Sequence, residues 1–297
     1  MKTARGNQTG CRSEDVKKGW VMRRTAKKLA KQFGNKTFVI TGAAGGLGRE
    51  MARLLAPHWA GALLLDVNEE GLNNLAEELR TDQRPVVTRR VDLTSDQDIA
   101  ALGDLPAEYS PPDVLINNAG ISFMSLAEKQ PLDEYRRMME VNYFAVVALV
   151  NRFLPAMLER RSGQVITIAS GSGVLANYGG AGYCGSKFAV VGYMESLRQE
   201  LAGTGVTTNC VLLPTVMTDF HRRVLEGEFA DMAKSLPTIE PEEAARRLLL
   251  QAAAGKEVIS FGSSVEAGLL LNRLAPSIFR TAMTVNGYVL NRRRGRV

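Results

Sequence analysis

Histidine is scarce in this chain, with only His58 and His221 present. A histidine-based metal site or a Ser-His-Asp triad needs more imidazole than that, so both chemistries are disfavoured from the outset. His58 follows Pro57 at a predicted helix end and reads as a capping or surface residue. Cysteine is also sparse: Cys11, Cys184 and Cys210 are widely spaced and odd in number. They suit neither a disulfide framework nor a zinc site, and they fit a reducing compartment. No metal is expected. No uninterrupted apolar run approaches the roughly 18 residues of a membrane span, and the most apolar stretch, 143–150, is broken by polar residues within one or two turns.

What is present describes an ordinary globular chain: 297 residues, 45% hydrophobic and 23% charged, enough to bury a substantial core. The charge is unevenly spread. Of the net +6, residues 1–36 carry +9 and the tail Arg292, Arg293, Arg294 and Arg296 carries +4, leaving −7 for the body between them. The basic balance therefore belongs to the two ends, and no specific nucleic-acid binding is expected. Residues 1–35 form a basic leader. Its first 15 residues have a disordered composition, and 16–33 have apolar residues at helical spacing among cations. That second part reads equally as a cationic amphipathic helix resting on an anionic membrane surface or as a solvated leader. It lacks the continuous apolar core of a secretory signal.

From Lys36 the pattern changes. Residues 37–41 (Thr-Phe-Val-Ile-Thr) predict a buried strand, followed at once by Gly42-Ala43-Ala44-Gly45-Gly46-Leu47-Gly48 and a helix over 49–57. Strand, glycine turn and helix make the first half of a dinucleotide-binding unit: the glycines let the backbone approach a pyrophosphate, and the helix N-terminus offers free N–H groups. A second strand, 61–67, carries Asp66, twenty residues after Gly46. An acid at that place binds the adenosine ribose hydroxyls and repels a 2′-phosphate. With no Lys or Arg in 42–48, NAD is favoured over NADP.

Helices are predicted at 69–80, 95–102, 132–158, 182–201 and 240–254, and strands at 85–91, 113–116, 164–170, 206–213 and 256–261. Asp92-Leu93 ends the third strand, where an acid can meet the adenine amino group. Residues 214–237 break the alternation and read as a flap, and 265–290 reads as helical pieces interrupted by Pro276. The alternation implies an α/β fold, a single doubly wound Rossmann domain over 36–262 with a seven-stranded parallel sheet and helices on both faces. Residues 263–297 would form a helical extension with a basic tail.

One further pair stands out. Tyr183 and Lys187 are four apart at the head of a predicted helix, so phenol and ammonium share a face. A cation near a phenol lowers its pKa and makes it a usable proton donor and acceptor.

Taken together, Thr41-Gly42-x-x-x-Gly46-x-Gly48, Asn117-Asn118-Ala119-Gly120, Tyr183-x-x-x-Lys187, Ser170 thirteen residues before the tyrosine and Asn142 forty-one before it resemble the short-chain dehydrogenase/reductase family, in its common single-domain branch, over about residues 36–262. The resemblance implies reversible hydride transfer between a nicotinamide cofactor and a carbinol carbon. Tyr183 would be the acid/base, Lys187 its tuning cation and a clamp on the nicotinamide ribose, Ser170 the partner of the substrate oxygen and Asn142 the holder of a relay water. Gly42, Gly46, Leu47, Gly48, Asp66, Asp92, Leu93, Asn118, Ala119, Gly120, Pro214 and Thr218 would join Tyr183 and Lys187 in binding the cofactor. The family often has Pro-Gly after the sixth strand, where this chain has Pro214-Thr215; the resemblance places Thr218 of this loop at the nicotinamide carboxamide. Ser172 competes with Ser170 but reads as a turn hydroxyl, and Cys184 as a packing residue.

Met217, Phe220, Val224, Leu225, Phe229 and Met232 in the flap, with Leu175, Ala176 and Tyr178, suggest an apolar pocket for a bulky secondary alcohol or ketone of steroid, retinoid or lipid type. An equal alternative is that this apolar face merely covers the sheet. Two other readings are a 3-oxoacyl-thioester reductase, awkward with Asp66 because such enzymes favour NADP, and a non-catalytic NAD-binding regulatory protein on the same fold. The expected setting is cytoplasmic, as a homodimer or homotetramer, with peripheral membrane contact through the basic leader or the C-terminal helices.

Overall fold

The computed structural model describes residues 9–81, 84–104, 112–225, 229–230, 234 and 236–296. Residues 1–8 of the leader and Met232 of the flap lie outside the described residues.

Seven parallel strands form the expected sheet: β1 (Thr37–Thr41), β2 (Gly61–Asp66), β3 (Val86–Arg90), β4 (Val114–Asn117), β5 (Gly163–Ile168), β6 (Val206–Leu212) and the last strand (Val258–Ser260). Their order is β3-β2-β1-β4-β5-β6 and then Val258–Ser260 at the far edge. The chain winds outward from β1 to β3 and then restarts on the other side at β4. The carboxyl ends of β1 and β4 therefore border the crevice where such sheets bind ligands. Side chains alternate between faces. Phe38 and Ile40 face one core with helices Gly46–Leu55 and Pro241–Ala253, and Val39 faces the other with helices Ala145–Glu159 and Ala181–Glu200.

Several elements differ from expectation. The leader helix runs Thr9–Phe33 and is not merely a surface element: Leu29 and Phe33 are buried in the first core. Phe33 meets Phe38 edge-on at 5.9 Å, and Phe38 meets Trp59 at 6.1 Å. Burial of these rings attaches the end of the leader to the sheet.

The helix predicted at 132–158 is a continuous helical run over Leu132–Glu159, of mean hydropathy 1.5 over its most apolar window. By length and composition it is apolar enough to cross a membrane, unlike anything the sequence suggested. Its apolar face, through Val146, Leu149, Val150 and Phe153, packs in the second core, as a sheet-covering helix does. A π-turn interrupts it at Glu140–Phe144, around Asn142.

The flap residues Thr215–Val216 and Thr238–Ile239 pair as a two-stranded parallel ribbon, with helix Asp219–Leu225 between them in sequence. Pro276 does divide the extension, into helices Ser263–Leu274 and Pro276–Arg293, as its fixed geometry at a first helical turn favours.

Candidate active site

The crevice is assembled by close backbone contact. Gly42 leaves β1 at φ +64°, a conformation that a side chain strains. A Cβ there would lie 2.9 Å from Ala119 Cα and from Asn118 Nδ2, and one on Gly48 would run into the Gly42 carbonyl oxygen. Asn118 Nδ2 donates to Thr41 O and Gly42 O, both at 3.0 Å. Thr41 Oγ1 accepts from the backbone N–H groups of Asn118 at 3.0 Å and Ala119 at 3.1 Å. The glycine turn and the Asn-Asn-Ala-Gly turn are thereby stapled into one unit.

Gly46 opens the next helix, and the Thr218 methyl stands 2.9 Å from where its Cβ would be, so Thr218 does reach the loop despite the missing Pro-Gly. Leu47 is buried behind the turn. Pro214 packs on Gly262, and Leu93 packs on the second core. Asp66 is fixed from two sides: Oδ2 accepts from Ala44 N–H and Oδ1 from Asn68 N–H, each at 3.0 Å. Asp92 accepts from the Thr94 N–H and hydroxyl, which together hold its carboxyl below the usual range.

A cradle that only glycine can form, a helix N-terminus above it and an acid at the end of β2 fit a dinucleotide. The window 42–48 missed one residue. Arg49 folds back, with Nη2 donating to Ala44 O at 3.1 Å, so a cation does lie on this loop. Its Nε is buried without a partner among the described residues.

Beside the crevice, at the end of β5, the expected proton-transfer groups converge. Ser170 caps the turn Gly171–Gly173, its Oγ accepting from Ser172 N–H at 3.1 Å. Ser172 contributes its backbone to that arrangement. Ser170 also hydrogen-bonds Tyr183, whose phenol is pushed up to about 12 by burial, an effect that the Ser170 bond partly opposes. Lys187 is buried as well, which pushes it down to about 8. Its Nζ donates to Ile168 O at 3.0 Å and lies 5.9 Å from the Tyr183 ring centroid.

The expected lowering of the tyrosine by the lysine is therefore corrected. Desolvation outweighs an ammonium that is turned toward a carbonyl. At neutral pH the pair is phenol and ammonium, the state of a proton donor.

Asn142 stands in its π-turn with both ends used. Oδ1 accepts from Ile121 N–H at 2.8 Å, and Nδ2 donates to Ile121 O and to Ser186 Oγ, each at 2.9 Å. Ser186 in turn donates to Tyr183 O at 2.8 Å. This link from Asn142 to the tyrosine's own turn has no signature in the sequence beyond a buried serine next to Lys187. Gly120 lies between, and a Cβ there would be 3.2 Å from Asn142 Oδ1 and 3.4 Å from Lys187 Nζ. Cys184 donates to Asn177 Oδ1 at 2.7 Å, and burial raises its thiol, as suits a packing residue.

On the open side the ring of Phe220 sits 6.1 Å from that of Tyr183, and Tyr178 meets Phe229 edge-on at 6.2 Å. Leu175 is half-buried under the C-terminal extension, against Gly268. The apolar residues expected around a substrate are thus partly gathered at the tyrosine.

The family profile for short chain dehydrogenases matches residues 36–228. Estradiol 17-beta-dehydrogenase 11 of Pongo abelii is 33% identical over 259 residues, covering 85% of this chain and 83% of its own. 3-Oxoacyl-[acyl-carrier-protein] reductase FabG of Salmonella typhimurium is 30% identical over 205 residues, covering 69% of this chain and 83% of its own. Among solved structures, a short chain dehydrogenase/reductase from Burkholderia phymatum in complex with NAD superimposes with a TM-score of 0.74 at 24% identity, covering 82% of this chain and 94% of that one. That likeness is one of fold. With its glycine cradle and its Ser-Tyr-Lys cluster at the same sheet edge, the chain belongs to the short-chain dehydrogenase/reductase family of oxidoreductases.

Proposed function

We propose that this protein is an NAD-linked dehydrogenase or reductase interconverting a bulky, apolar secondary alcohol and its ketone. The observation that carries the reading is the meeting of Ser170, Tyr183 and Lys187 beside a dinucleotide cradle. The nicotinamide supplies the hydride acceptor or donor. In the reductive direction the Tyr183 phenol gives its proton to the ketone oxygen as hydride arrives at the carbon, and in the oxidative direction Tyr183, as phenolate, takes the hydroxyl proton as hydride leaves. Ser170 hydrogen-bonds the same oxygen and orients it. Lys187 stays protonated below pH about 8 and supports the phenolate as it forms. Asn142, expected to hold a relay water, has its side-chain amide taken by Ile121 and Ser186 and joins this set by positioning the turn that carries Tyr183. Asp66 holds the adenosine ribose hydroxyls, and Thr218 the carboxamide side.

Phe220, its ring 6.1 Å from that of Tyr183, supports an apolar substrate of steroid, retinoid or lipid type. The likeness to FabG supports a second reading, reduction of a 3-oxoacyl thioester, and Arg49 on the loop is the residue that would let NADP bind there. Absorbance assays with NAD and NADP over steroid-like, retinoid-like, 3-oxoacyl-thioester and polyol substrates test all of these. Turnover of apolar alcohols with NAD is expected. Preference for polyols would remove the apolar reading, and a thioester reduced with NADP would replace it. Tight cofactor binding without any turnover would favour a regulatory role.

Peripheral membrane contact in a cytoplasmic setting completes the proposal. Leu270, Leu274, Ile278, Val285 and Tyr288 are each more than half exposed, and residues 263–296 hold six arginines against Glu266 alone. Such a surface complements an anionic bilayer. Co-sedimentation with phosphatidylserine vesicles that weakens with salt is expected. Absence of binding, or binding indifferent to salt, would refute it. A homodimer or homotetramer through exposed Leu132, Phe144 and Phe188 is the expected assembly, checked by light scattering.

A further inference from the structure

We propose that the end of the last helix is a clasp on the substrate side of the site, in which Asn291 and Arg294 hold the loop before Tyr183 closed and so set which substrates enter. The specificity role rests on the oxidoreductase reading above, whereas the clasp itself does not.

Residues 175–180 lead directly into helix Ala181–Glu200, which carries Tyr183 in its first turn. The far end of helix Pro276–Arg293 reaches that loop. The Tyr178 hydroxyl donates to Asn291 Oδ1 at 2.6 Å. The Arg294 guanidinium carbon lies 4.4 Å from the Phe229 ring centroid and 6.0 Å from that of Tyr178, so one cation faces both rings. Phe229 is only 2% exposed and fills the space where a side chain on Gly179 would stand. Arg296 then pairs with Glu128 at 2.8 Å, and Ser125 N–H donates to Gly179 O at 2.9 Å. The tail, the flap, the loop before the tyrosine and the turn after β4 are therefore joined at one point. At the other end of the extension, Leu175 packs against Gly268 and Val265 against Gly171.

These contacts are chemically specific. A half-buried phenol hydroxyl takes a single side-chain acceptor, and a guanidinium stacks on aromatic faces where a neutral residue would not. Opening the loop has to break both at once, while the rest of the extension keeps its place through Val265 against Gly171. A mere buttress would alter stability alone. A clasp beside Phe220 and Tyr183 also alters the room available to a substrate.

The test uses the full-length protein and the variants Asn291→Ala, Arg294→Ala and Tyr178→Phe, with Asn291→Asp to restore an acceptor for the hydroxyl and Arg292→Ala as a neighbouring loss of charge. Hydrogen exchange at the amides of residues 175–180 is expected to quicken about tenfold in the first three and to stay unchanged in the last two. In parallel, kcat and KM are read with NAD over straight-chain 2-alkanols of increasing length. KM for the longest alcohols is expected to change about tenfold in Asn291→Ala and Arg294→Ala, with kcat and the NAD affinity held within about twofold.

Unchanged loop exchange would overturn the clasp. Faster exchange with an unaltered dependence on chain length would overturn the specificity role. If the wild-type protein turns over no straight-chain alkanol, the proposed role in selecting by chain length fails. The alcohol reading falls only if the steroid-like and retinoid-like substrates fail as well, and the exchange measurement still decides whether the clasp exists.

Discussion

Lys187 is the residue on which the chemistry and the stability of this protein pull in opposite directions. It is 4% exposed, and burial lowers its pKa from 10.5 to about 8. Folding therefore disfavours its charged form, and that penalty is complete below pH 8. It fades between pH 8 and 10.5, where the unfolded chain still binds the proton and the folded one does not. Lys187→Met is expected to raise stability by about 1–3 kcal/mol at neutral pH, with the gain shrinking toward pH 10.5, and to abolish turnover. Urea unfolding of both proteins across pH checks the first outcome, and a gain over the wild type no larger at pH 7 than at pH 10.5 would refute it.

Tyr183, at about 12, keeps its proton throughout that range. The rate of ketone reduction should hold steady below pH 8 and fall above it as Lys187 deprotonates, which a pH profile of kcat/KM measures. Tyr183→Phe should lower turnover by ~10²–10⁴-fold while leaving dinucleotide binding intact, as read by fluorescence titration. The identities and spacing of these two residues were legible in the sequence. Their proton affinities were not, because these depend on burial and on the distance from Nζ to the ring.

Among the elements, the joint between the turns after β1 and β4 governs the cradle. Thr41 Oγ1 accepts two backbone N–H groups there. Thr41→Val keeps the shape and removes the acceptor, leaving those donors without a partner. A loss of ~2–4 kcal/mol is expected, with weaker dinucleotide binding, measurable by denaturant midpoint and titration. A loss within ~0.5 kcal/mol, the level of an ordinary surface substitution, would deny the joint its role. Strand, glycine turn and helix could be read from local periodicity and from the positions of glycine. The π-turn around Asn142 could not, since nothing in 140–144 departs from a helical pattern. What widens with that turn is the place where Asn142 meets Ile121 and Ser186, residues remote in sequence.

At the scale of the whole molecule, the basic leader ends as part of the core. Phe33 is fully buried against Phe38. Phe33→Ala should cost ~3–5 kcal/mol, whereas a solvated leader would lose almost nothing, and thermal unfolding separates the two. The exposed basic and apolar faces of the leader and of the last two helices then lie outside a single body of strands and helices.

The sequence by itself determined the order of strands and helices, the glycine cradle with Asp66, and the spacing of Ser170, Tyr183 and Lys187, because each of these depends on local backbone geometry and short periodicities. Only the tertiary structure decided that the tyrosine is raised and not lowered, that Arg49 turns back onto the cofactor loop, that Phe33 is core, and that Asn291 reaches Tyr178 across 113 positions. These are matters of desolvation and of contact between segments far apart in the chain, and no local pattern encodes them.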